Sequence, residues 1–118
     1  MPPGWPADLP APGQPEFDER VVGWLLDRGP ADLRTSPLRL RPVALAGYLA
    51  HHVDACLAGA RTAYARARAE LGALLEPAAL TEVQQALEAE GARLLQVQRE
   101  VRLVTAALRD RAESASRT

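Results

Sequence analysis

Two runs of apolar residues, each spaced by alternating steps of three and four, constrain this chain more than any other feature. The first runs Val43, Ala46, Ala50, Val53, Leu57, Ala60, Tyr64, Ala67, Leu71, Leu74. The second runs Leu80, Val83, Leu87, Glu90, Leu94, Val97, Val101, Val104, Leu108. Only Glu90 in the two runs is charged. Such spacing keeps one narrow stripe of an α-helix facing a partner helix. Glu76-Pro77 separates the runs, and a proline there disfavours helical backbone at the preceding residue. The spacing therefore predicts two long helices, 42–75 and 78–112, each starting at or near a proline. Thr81 and Gln84 have the spacing of a capping box at the start of the second.

A connection this short makes the helices antiparallel neighbours. Folding the chain at about residue 77 sets Leu71 opposite Val83, Ala67 opposite Leu87, Ala60 opposite Leu94, Val53 opposite Val101 and Ala46 opposite Leu108. Alanine on one arm meets leucine on the other in three of these layers, as a filled seam requires. The same register puts Tyr64 opposite Glu90, and a phenol-to-carboxylate hydrogen bond is expected there as a register device. Each arm of about 33 residues spans roughly 50 Å at 1.5 Å per residue.

A shorter helix is expected over 16–28, where Phe17, Val21, Trp24, Leu25 and Arg28 share one face. Glu16, Asp18 and Glu19 favour its positive end, and Gly29-Pro30 is a stop, with glycine expected in a left-handed C′ conformation. This helix should cross the open end of the hairpin, setting Trp24 and Leu25 against Leu45, Leu49, Leu103 and Ala107. At about 18 Å it is too short to cover both arms, so the turn end is left as a bare prong. Residues 29–41 read as a connector in which Ser36 caps a short turn begun by Pro37. Residues 1–15 hold six of the ten prolines and are expected to be a flexible, polyproline-like tail. Trp5 and Leu9 are its only sizeable apolar groups able to dock. The fold class is thus all-α: a long antiparallel, coiled-coil-like hairpin with a third helix, in one domain over 16–118.

Composition narrows the function. Aromatic residues are 4% of the chain, so the core must be aliphatic. All 14 basic residues are arginine and the net charge is −1, without the basic excess of a strong polyanion binder. The arginine and alanine richness suggests a GC-rich, bacterial gene. The single Cys56 excludes an internal disulfide and fits a reducing compartment. No signal-peptide pattern and no membrane-length apolar run occurs, so a soluble cytoplasmic protein without membrane association is expected.

Candidate chemistry is sparse. His51, His52, Asp54 and Cys56 form the densest polar cluster. His52 and Cys56 share a face at i, i+4, and Glu100 falls opposite, so His52, Cys56 and Glu100 are the weak candidates for a metal or ligand groove. The pattern lacks a second cysteine, so no metal or cofactor is expected. A phosphotransfer role for His52 lacks the lysine-glycine that normally follows such a histidine. Arg61, Arg66, Arg68 and Arg93 gather on the prong and carry an alternative reading as a nucleic-acid-associated factor, against interspersed acids such as Glu70 and Glu88. No paired-carboxylate helix motif, phosphate loop or nucleophile elbow is present, so the chain is not expected to be an enzyme. The outward stripe Ala55, Ala58, Thr62, Ala65 and Ala69 permits close approach of another helix. The leading expectation is therefore a protein–protein interaction or oligomerisation module whose partner is a second copy or another helical protein.

Overall fold

The computed structural model describes residues 2–117 and contains helices but no strand among them. Helix α1 spans Pro15–Leu26, two 3-10 turns span Ala31–Thr35 and Pro37–Leu40, and the long helices are α2, Pro42–Leu71, and α3, Pro77–Ser116. α2 and α3 form the antiparallel hairpin, giving a particle 62 Å long and 21 Å thick. Both long helices begin with proline at N1, where its missing N–H would be unpaired anyway. Ser36 caps the second 3-10 turn, accepting from the Leu38 N–H at 3.2 Å. The Thr81 capping box does not form. Because Pro77 already starts α3, Thr81 lies inside the first turns and its hydroxyl donates to the Pro77 carbonyl at 3.0 Å.

The core lies at the open end of the hairpin. Phe17, Val21, Trp24 and Leu25 are the buried face of α1, matching the face the spacing predicts. They share one apolar cluster with Leu45, Leu49 and Val53 of α2 and Val101, Val104 and Leu108 of α3, with Leu103 and Ala107 packed at its margin. Thr105 is buried among them but not orphaned: its hydroxyl donates to the Val101 carbonyl at 2.7 Å. Arg111 of α3 holds Asp18 of α1 in a two-pronged ion pair.

Gly29 ends α1 differently from the expectation. Among the described residues only Gly4 has a left-handed backbone; α1 closes instead by tightening, with Arg28 N–H on the Leu25 carbonyl and Gly29 N–H on that of Leu26. Gly29 is there for space. A Cβ on it would lie 2.8 Å from Leu33 and 3.2 Å from Leu49.

The N-terminal segment corrects the expectation of a flexible tail over 1–15. Pro2, Pro3 and Gly4 form a turn closed by the Trp5 N–H on the Pro2 carbonyl at 3.1 Å, with Gly4 at φ 80, the sequence pattern of a type II turn. Trp5 and Leu9 are then buried, at 8% and 3% exposure. The Trp5 indole N–H donates to the Leu9 carbonyl at 3.0 Å, and its ring packs 5.9 Å from Phe17. Asp8 fastens the segment to α1. One carboxylate oxygen accepts from the Trp24 indole at 2.8 Å, the other from Arg28 at 2.8 Å. Arg28 also lies over the Trp24 ring, 3.7 Å from its centroid. Proline here removes donors that a helix would need, while leaving the few remaining donors for the dock.

The hydrogen bond from Arg28, then that from Trp24, hold the Asp8 carboxyl below its ordinary 3.8. A depressed carboxyl stabilises the fold fully above its unfolded value and loses that contribution as pH falls through the folded one. We therefore expect acid titration of tryptophan fluorescence to show a transition below about 3.8 in the native chain. Asp8→Ala should lack it, lose about 1 kcal/mol and expose residues 2–14 to protease at neutral pH. Parent-like proteolysis and titration would show that Asp8 does not fasten the segment.

Candidate functional site

Beyond the cover of α1 and the N-terminal segment, the hairpin continues as two helices alone. On this prong the seam is thinner. Ala67 is buried, but Ala60, Ala63, Leu71, Leu80, Val83 and Leu87 are only half-buried. Tyr64 is 44% exposed and Leu74 76%.

The predicted polar layer between Tyr64 and Glu90 is not formed. Glu90 is exposed and pairs with Arg93 one turn along its own helix. That hydrogen bond holds the Glu90 carboxyl low and the Arg93 guanidinium high. The half-buried residue at this level is Gly91. At this one layer glycine rather than Glu90 faces inward, which keeps the carboxylate in water. Val83 and Val97 of the expected seam are half-buried and Val104 is fully buried. Gln98, beside Val97, also reaches α2, where it donates to Asp54 at 2.7 Å, with Arg102 3.5 Å from the same oxygen. Gln84, Gln98 and Thr105 thus flank the valine-rich seam, half-buried or buried beside it. The sequence signal for the exception was the glycine beside Glu90.

With no side chain at Gly91, a groove of about 360 Å³ opens between the helices, lined by Ala60, Arg61, Tyr64, Leu87, Glu88, Gly91, Ala92 and Leu95. Its floor is apolar. Arg61 and Glu88 stand on opposite walls, one from each helix, and neither has an ion-pair partner among the described residues. Sequence periodicity alone did not single out this groove, because Gly91, Ala92 and Leu95 lie off the valine-rich seam.

The stripe Ala55, Ala58, Thr62, Ala65 and Ala69 is exposed along its whole length. Of the four prong arginines, Arg66 pairs with Glu70 at 3.5 Å and Arg93 with Glu90, while Arg61 and Arg68 carry no ion pair among the described residues. Half of the positive charge grouped in sequence is thus matched by acids on the same helix. His52 and Cys56 do meet, with Sγ 3.5 Å from Nε2, and Tyr48 stacks on His52 at 6.0 Å. Glu100 does not complete a ligand set with them, and no group of three or more histidine, cysteine or acidic side chains comes together among the described residues. No helix among those residues is long and apolar enough to cross a membrane. Comparison with known protein families, curated proteins and solved structures finds no match to the chain.

The geometry makes two mutational statements. A double-mutant cycle between Tyr64→Phe and Glu90→Ala should give no coupling, whereas one between Glu90→Ala and Arg93→Ala should give a small favourable coupling that salt weakens. Gly91→Ala, whose added Cβ would meet nothing within 4 Å, should raise stability by about 0.5–1 kcal/mol in urea unfolding at low protein concentration. A coupling of Tyr64 to Glu90 larger than that of Glu90 to Arg93 would restore the polar layer.

Proposed function

We propose that the protein is a non-enzymatic protein–protein interaction module, a helical hairpin that self-associates as a homodimer through its prong. The observation that carries this reading is the half-covered hairpin: one end has a roof of α1 and the N-terminal segment, and the other ends in a half-buried seam beside an open apolar groove. A two-helix layer has an apolar stripe on each arm and no third element to shield its flanks, so pairing with a second layer is the common solution in four-helix assemblies. Closed two-fold pairing of identical chains is the most frequent form such association takes. The small exposed residues of α2 and the groove are the two surfaces available on the prong. Another helical protein presenting an apolar face is the alternative partner.

Light scattering coupled to size exclusion tests the reading. The expected mass is about 25 kDa, twice the 12.7 kDa of one chain, at micromolar concentration and neutral pH. A mass that stays at one chain up to the millimolar range would remove self-association from the reading.

A further inference from the structure

We infer that the seat of this self-association is the groove at Gly91, and that its occupant is the same groove of a second copy, related by a two-fold axis running along the helices. The inference rests on the proposed self-association and names its surface. The argument is charge complementarity. Arg61 of α2 and Glu88 of α3 stand on opposite walls of one apolar groove, each without an ion-pair partner among the described residues. A two-fold along the hairpin sets α2 of one copy against α3 of the other, so Arg61 meets the second copy's Glu88 and the pair is made twice. An axis across the helices would set α2 on α2 and Arg61 against its own copy. The charges therefore select a parallel arrangement with both turns at the same end.

Shape agrees with charge. Gly91 and Ala60 leave the floor shallow enough for helices to approach closely, while Tyr64, Leu87 and Leu95 supply apolar area. An apolar centre rimmed by an arginine and an acid is the usual anatomy of a specific interface. The exposed alanine stripe on α2 is convex and has no facing wall. It offers no comparable means of fixing a register.

Paired charge reversals test the groove directly. Both residues are exposed helix positions, so Arg61→Glu and Glu88→Arg should leave the helical circular dichroism of the chain unchanged. Each alone sets like charges together at both contacts of a homodimer and should raise its dissociation constant roughly tenfold or more. Mixed in equal amounts, the two variants match at both contacts, and the mixture should form heterodimers with parent-like affinity. Gly91→Leu, which has room for its Cβ in the monomer, fills the groove and should likewise abolish association. If the parent chain is a dimer but the single variants and Gly91→Leu dimerise as well as it does, the groove assignment is overturned and self-association stands. If the parent chain is a monomer throughout, self-association itself fails, and the groove with it.

Discussion

Everything in this molecule depends on the burial of Leu45, Leu49 and Val53 against Val101, Val104 and Leu108 beneath Phe17, Trp24 and Leu25. Each such side chain, fully withdrawn from water, contributes on the order of 1.5–3 kcal/mol before the entropy of ordering the chain is set against it. Two helices alone cannot withdraw that much surface, because most side chains of the two-helix seam toward the turn, Leu71, Leu80, Val83 and Leu87 among them, keep a flank in solvent. The third layer converts the seam into a core. It extends only as far as α1 reaches, and so the chain has one well-buried end and one that is not.

The N-terminal segment enlarges that roof without regular structure. Trp5 and Leu9 add apolar area, and Asp8 joins the segment to α1 and its end, its carboxylate accepting from Trp24 and Arg28 and its carbonyl from Arg20. A proline-rich stretch can dock in this way because it loses little backbone entropy on ordering and has few donors to satisfy. The same feature made it unreadable in advance. Proline density signals the absence of helix and strand, and is silent on whether two apolar side chains at a spacing of four will find a surface.

The long helices and the buried face of α1 were legible because hydrophobic periodicity is a direct record of which side is withdrawn from water. The seam through α3 was legible at every layer but one. Leu94, Val101, Val104 and Leu108 are buried and Leu80, Val83, Leu87 and Val97 half-buried, while Glu90 stands in solvent and Gly91 takes its place. An ionised carboxylate at half-burial is costlier than a glycine. Gln98 and Thr105, beside the seam, find acceptors in Asp54 and in the Val101 carbonyl. The groove follows from the glycine at that one layer, which is why it escaped a pattern built on apolar residues. His52 and Cys56, by contrast, were brought together as their i, i+4 spacing implies, but a ligand set needs a third group from α3, and helical spacing on one arm carries no information about that.

The uneven roof has a consequence for how the chain opens. The free energy needed to break a backbone hydrogen bond locally tracks the apolar contacts around it. Amides of α2 and α3 under Trp24 and Leu25 therefore open only with the whole molecule, while those flanking the turn at Leu71 and Pro77 open in small local excursions. One continuous pair of helices thus carries a gradient of rigidity along its length. A second copy seated on the loose end would flatten that gradient, making the ordering of the prong part of the binding free energy.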